Sequence, residues 1–191
     1  LTSANYVVGT KTYVCDASAA GTVLSQNPTA GTSAPLGTAV DLTISSGPPS
    51  APDVTGLDEA SAIAAINAVA NISYGTSSYV NDDVVPAGDV ISQSATGTVA
   101  CGAVIDLVVS LGLPVIPDVT GLDEASAEAA IIAAGFSVGT PITIASDTVA
   151  AGDVISQSDV GAAVSTTVVT LTVSTGLPII PDVTGQAQAT A

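Results

Sequence analysis

The sequence predicts an α+β chain built as a tandem array of small modules, each one α-helix packed on a three-stranded β-sheet. Three observations predict it. First, markers recur every 64 to 65 residues: Pro-Asp-Val-Thr-Gly begins at Pro52, Pro117 and Pro181. A hydrophobic-Ser-Gln triplet recurs at nearly the same spacing at Leu24-Ser25-Gln26, Ile91-Ser92-Gln93 and Ile155-Ser156-Gln157, and a β-rich run closes in Ser-x-Gly at Gly47, Gly112 and Gly176. A fixed period of this kind is the signature of a repeat architecture. Second, within one period the hydrophobic spacing switches from helical to alternating. Third, the 47% hydrophobic content is mostly Ala and Val in short runs, far below the ~20 apolar residues that a membrane span requires.

Each element follows from local chemistry. After Pro-Asp-Val-Thr-Gly comes Leu122-Asp123-Glu124-Ala125, where Asp123 can accept orphan amides and both acids favour the positive end of a helix dipole. Asp58-Glu59 does the same one module earlier. Ala127, Ile131 and Ala134 then recur at helical spacing, as do Ala62, Ile66 and Val69. Gly135 tolerates the left-handed φ that ends such a helix. Phe136-Ser137-Val138 alternates as a strand, with counterparts Ile72-Ser73-Tyr74 and Tyr6-Val7-Val8. A polar loop, a strand around Val154-Ile155-Ser156-Gln157, a second loop and a strand Val169–Val173 complete the module. If each module ends at its Ser-x-Gly, the boundaries are 1–47, 48–112, 113–176 and 177–191. The first piece lacks its lead-in segment and most of its helix. The last is a lead-in segment with a helix start.

These motifs together resemble tandem PASTA domains: Pro-Asp-Val-Thr-Gly, an Ala-rich helix ending in Gly, Ala-Gly-Asp-Val-Ile-Ser-Gln-Ser, and a Val/Leu/Thr strand ending in Ser-x-Gly. The resemblance covers 48–112 and 113–176 in full and 1–47 from mid-helix onward. It implies extracellular modules of bacterial cell-wall-associated proteins, some of which bind peptidoglycan fragments while others act as rod-like spacers. Muropeptide binding in such domains is credited to polar and basic side chains. This chain has no Arg, which disfavours peptidoglycan binding and favours the spacer.

Composition excludes other classes. One Lys (Lys11) stands against 17 acidic residues, a net charge of −16, and His, Met and Trp are absent. Nucleic-acid binding needs clustered cations, and an anionic membrane surface would repel such a chain. With no His or Arg the usual general bases and oxyanion clamps are missing, so no enzyme is expected. The low content of trypsin-cleavable residues suits a secreted or cell-surface location.

The two stubs are matching halves of one folding unit: Ala191 aligns with Ala127 and Leu1 with Ile131. Three arrangements accommodate this: an excerpt of a longer covalent array, a subunit whose tail completes the next subunit, or a monomer with frayed ends. The first two both make a linear structural rod, filament or stalk, the second as a head-to-tail homopolymer, which does not close on itself. In that reading Pro181, Asp182, Val183, Gly185 and Ala191 act as donor, and Leu1, Tyr6 and Val8 as acceptor. The alternative is a cell-wall- or glycan-binding ectodomain of a larger surface protein.

Further candidates are few. Cys15 and Cys101 suit a disulfide between successive modules, a bridge between subunits, or free thiols; without His or CxxC spacing they do not suggest zinc. Asp82, Asp83 and Asp89 offer hard oxygen ligands for calcium, but solvated acids that keep the chain soluble explain them better, and no cofactor is expected. Asn71-Ile72-Ser73 is an acceptor sequon for N-glycosylation. The Ser-Gln pairs have no base to make a nucleophile and instead suit backbone groups at a strand edge.

Overall fold

The computed structural model describes residues 5–184. Among them the chain divides into two compact units: one runs to Val80 and takes in Val85–Leu111, and the other combines Asn81–Val84 with the chain from Gly112 onward.

In the first module β1 (Val7–Val14), β2 (Val23–Asn27) and β3 (Ala39–Ser45) form a sheet in the order β1-β3-β2. The central strand β3 runs parallel to β1 and antiparallel to β2. The second module adds a short lead-in strand β4 (Ser50–Ala51) and helix α1 (Glu59–Asn67) before the same sheet plan, built from β5 (Ile72–Val80), β6 (Val90–Gln93) and β8 (Ala103–Ser110). A two-residue strand β7 (Gly97–Thr98) pairs with β4. The third module repeats this with β9 (Val115–Ile116), α2 (Glu124–Ala133), β10 (Ser137–Val138), β11 (Ile142–Ile144), β12 (Val154–Gln157), β13 (Gly161–Ala162), β14 (Val168–Val169) and β15 (Leu171–Ser174). The order β4-α1-β5-β6-β8 bears out one helix on a three-stranded sheet.

The structure corrects the sequence expectation in three places. The strand read as Ile72-Ser73-Tyr74 runs on to Val80, through residues too polar to register as a strand. In the third module the sheet is split, β10 with β14 and β11-β15-β12. The lead-in segments also pair as strands, β4 with β7 and β9 with β13, although two-residue strands leave no alternation to read.

The core follows from two periodicities. On β8, Ile105, Leu107 and Val109 face inward and are buried, while Val104 and Asp106 on the other face are exposed. On α1, Ala62 and Ile66 lie four apart and are buried against them, together with Val54, Ile72 and Val90. The third module repeats the set with Ala127, Ile131, Val119, Phe136, Val154, Val169, Leu171 and Val173. Each fully buried Val, Leu, Ile or Phe among them contributes ~1.5–3 kcal/mol. Ala133 is the last helical residue of α2, and Gly135 then turns the chain at φ 90°; Asn71 does so in the second module at φ 63°.

The Ser-x-Gly endings also find their cause. Ser110 and Ser174 are buried at the end of the central strand, where an unpaired hydroxyl would be costly. The Ser110 hydroxyl donates to the Val85 carbonyl at 2.7 Å and that of Ser174 to the Val149 carbonyl at 2.8 Å. Ser174 Oγ also accepts the Gly176 amide at 2.9 Å, and Ser45 repeats the pattern with Ser18 and Gly47. A buried serine hydroxyl thus closes each module from within.

Candidate functional site: a glutamine clamp and a hydroxyl-lined cleft

Pro-Asp-Val-Thr-Gly is a turn that presents its backbone to a glutamine. The Asp53 carboxylate accepts the Thr55 amide at 3.0 Å and the Thr55 hydroxyl at 2.8 Å, and Asp118 does the same with Thr120. These bonds, the amide foremost, hold both carboxyls below the usual carboxylate range because they favour the charged form. With the turn fixed, the Val54 amide donates to Gln93 Oε1 at 2.7 Å, and Gln93 Nε2 donates to the Pro52 carbonyl at 2.8 Å. Gln157 grips Val119 and Pro117 at 2.7 and 2.9 Å. A second bond from Nε2, to the Ala95 or Asp159 carbonyl at 2.6 Å, fixes each amide in its own loop.

The neighbouring strand edge extends the grip. The Gly56 amide donates to the Val90 carbonyl, the Val90 amide to the Leu57 carbonyl, and the Glu59 amide to the Gly88 carbonyl; Gly121, Val154 and Glu124 repeat this. One helix amide is thereby satisfied from outside the helix, and a second by the N-cap: Asp58 accepts the Ser61 amide and Asp123 the Ser126 amide, each at 3.0 Å. The Asp58-Glu59 and Asp123-Glu124 pairs are therefore helix-start chemistry.

The first module carries the same glutamine. Gln26 Nε2 donates to the Pro28 carbonyl at 3.1 Å, while Gln26 Oε1 meets no donor among the described residues. The amide sits in a cleft of about 280 Å³ lined by Tyr6, Pro28, Gly31, Thr32 and Val40. Val23, the counterpart of the buried Val90 and Val154, is exposed. Tyr6, expected on the acceptor side, lines this cleft and donates its hydroxyl to the Ala34 carbonyl; Val8 is exposed on β1. Leu1 lies outside the described residues.

On the donor side Gly185 and Ala191 also lie outside them. Pro181, Asp182 and Val183 are described, and the Asp182 turn is formed: the carboxylate accepts the Thr184 hydroxyl at 2.5 Å and its amide at 2.8 Å. The Thr184 hydroxyl, more than its amide, holds the Asp182 carboxyl low. Donor and acceptor residues fall in different compact units.

A second cleft, of about 350 Å³, opens on the sheet of the second module and is lined by Thr76, Ser78, Ser92, Ser94 and Asp106. It offers hydroxyls and one carboxylate, with no cation.

The remaining candidates resolve individually. Cys15 and Cys101 form a disulfide within the first unit, with Cα atoms 5.9 Å apart. Asn71 is exposed, and its carbonyl accepts the Gly102 amide. Asp82 accepts the Val84 amide, and Asp83 accepts the Ser165 amide and hydroxyl at 2.8 and 2.6 Å. The Asp89 backbone pairs with that of Asp58, the α1 N-cap, in an isolated antiparallel bridge. No group of three His, Cys, Asp or Glu that could hold a metal occurs among the described residues. What the sequence did not single out is the division of labour in Ser-Gln: the serine is exposed and the glutamine is the clamp. Recurrence of Gln after the same Ser in all three modules is the signal that finds it.

Comparison with known proteins agrees with this architecture. The PASTA domain profile matches residues 1–46, 50–111 and 114–175. A probable serine/threonine-protein kinase of Corynebacterium efficiens is 32% identical over 149 residues, 74% of this chain and 22% of the kinase; the chain thus spans about a fifth of that relative's length. Among solved structures, the extracellular region of the Ser/Thr kinase PrkC from Staphylococcus aureus superposes with a TM-score of 0.55 at 24% identity, covering 94% of this chain and 66% of that one.

Proposed function

This chain belongs to the PASTA domain family, and on that premise we propose that it is a non-catalytic part of the extracellular region of a bacterial surface protein, in contact with cell-wall glycan. The observation that carries the reading is the unbroken run of three family matches over almost the whole chain, in a chain whose kinase relative is several times longer. The cleft around Thr76, Ser78, Ser92 and Ser94 supplies the chemistry: hydroxyls that exchange hydrogen bonds with sugar hydroxyls, beside the Asp106 carboxylate. With a net charge of −16 and no cation in the cleft, recognition rests on hydrogen bonds and shape rather than on charge.

Co-sedimentation with purified peptidoglycan sacculi tests this. Saturable retention that competes with soluble muropeptides and changes little with salt is expected, and Ser92→Tyr, which fills the cleft, should abolish it. No retention, or retention indifferent to Ser92→Tyr, refutes the reading.

One observation favours a second reading, self-association into a rod or filament. The first module presents a glutamine clamp whose acceptor meets no donor among the described residues, and the chain carries a further copy of the turn that such clamps hold. Concentration-dependent sedimentation of the chain would support it, and a single species at every concentration would refute it.

A further inference from the structure

We propose that the cleft around Gln26 is a docking site for the Pro181–Thr184 turn of a second copy of this chain; the proposal rests on the self-association reading and assigns its contact. The ligand is defined by the protein's own complete modules. Wherever Pro-Asp-Val-Thr-Gly meets a module sheet, two bonds to one glutamine hold it: the valine amide to Oε1 and the proline carbonyl to Nε2. Gln26 keeps the third bond of that set, to its own loop at Pro28. That bond orients the amide as the Ala95 and Asp159 bonds orient Gln93 and Gln157.

The donor is formed in advance. The Asp182–Thr184 turn has the same two bonds as Asp53–Thr55 and Asp118–Thr120, so docking costs little ordering of the segment. Its apolar side chains are also out of place in water. Ile180 is 91% exposed and Val183 43%, whereas their counterparts Ile116 and Val119 are each 1% exposed. In the third module Ile116 pairs with Gly161 beside the clamp; in the first, Gly31 and Thr32 line the cleft at the corresponding loop. Exposed Val23 marks the edge that Val90 and Val154 use to bond Gly56 and Gly121. Backbone bonds supply the affinity and two apolar anchors the register, as in strand-addition recognition.

The test uses the whole chain, with sedimentation velocity across a concentration series and anisotropy of a fluorescent peptide spanning residues 177–191. Wild type should associate, and the peptide should bind it and compete. Gln26→Ala removes both clamp bonds and should weaken association and peptide binding roughly tenfold or more. Val183→Asp probes the same contact from the other side. It leaves the Gln26 module untouched, so a loss there cannot be misfolding of the cleft. Association that both variants leave unchanged overturns the docking site while the self-association reading stands. A chain that stays monomeric and ignores the peptide overturns both.

Discussion

The second and third modules carry the same core on sheets that differ in one strand. In the second, β5 runs unbroken from Ile72 to Val80; in the third, the same stretch is two pieces, β10 and β11. Both pass a one-residue register shift at the same place, between Tyr74 and Ser77 in one and between Val138 and Ile142 in the other. At the bulge of the second module, Gly75 and Thr76 lie across from Asp106, whose carboxylate accepts the Thr76 amide at 2.8 Å and the Thr76 hydroxyl at 3.2 Å. The first module does the same with Thr10 and Asp41, at 2.7 Å. The third has Thr170 in place of the aspartate and Pro141, which has no amide to donate, in place of Ser77. A bulge leaves one residue unpaired; the strand runs unbroken in the two modules where a carboxylate on the facing strand accepts the bulge amide, and is broken in the one without it.

The core should be indifferent to this difference. Ile66→Ala and Ile131→Ala each empty a fully buried position and should each cost ~2–5 kcal/mol, by similar amounts. Amide hydrogen exchange, resolved by module, is the suitable readout because a multi-module chain does not unfold in one step. Unequal losses would mean that the broken strand weakens the whole third module. The glycines of the bulge should separate the two. A Cβ at Gly75 would press into the Asp106 carboxylate and come within 2.6 Å of Val104 Cγ1, whereas at Gly139 it would meet Thr170 Oγ1 at 2.9 Å, the end of a side chain that can rotate. Gly75→Ala should therefore cost ~1–3 kcal/mol, and Gly139→Ala clearly less. Equal costs would show that the aspartate yields as readily as the threonine.

Much of this was legible in the sequence. Repeat phase, helix start, core face and closing strand all come from residues whose chemistry acts locally: Asp58 and Asp123 as caps, Ala62 and Ile66 at helical spacing, Val and Leu in alternation. The disulfide could be named only beside a bridge between subunits and free thiols, since Cα separation is a property of the fold. The continuation of β5 was not legible because Gly75, Thr76, Ser77 and Ser78 have no hydrophobic alternation; Asp106, thirty residues away, holds their place. The clamp was half legible. Recurrence marks Gln93 and Gln157, but their partners are backbone groups some forty residues upstream, which no side-chain pattern records.

The helix caps give a smaller effect, shared by both modules. Ser61 and Ser126, through hydroxyl and then amide, hold the Asp58 and Asp123 carboxyls below their ordinary value. The folded pKa is depressed, so the stabilisation is fully present above the unfolded carboxylate range and is lost as pH falls through the lower folded value. Protection of α1 and α2 amides should hold from neutrality to about pH 4 and decline together below it. Asp58→Asn and Asp123→Asn, which keep a capping oxygen without the charge, should flatten that decline. A decline that persists in both variants would place its cause in other carboxylates.

The smallest effect is the most direct test of the comparison. Thr170→Asp places a carboxylate where Asp106 stands in the second module, facing the Thr140 amide as Asp106 faces that of Thr76. A charged acceptor at the half-buried Thr170 position adds one hydrogen bond, so exchange at Thr140 should slow by a few-fold, with no change at Ile131 or Leu171. Pro141 still has no amide, so the single substitution should not rejoin β10 to β11. The double variant Thr170→Asp, Pro141→Ser should spread protection from Thr140 toward Ile142, because the chain then regains both the acceptor and the missing donor. Protection at Thr140 equal to wild type in both variants would mean that something other than the aspartate carries the second module's strand across its bulge.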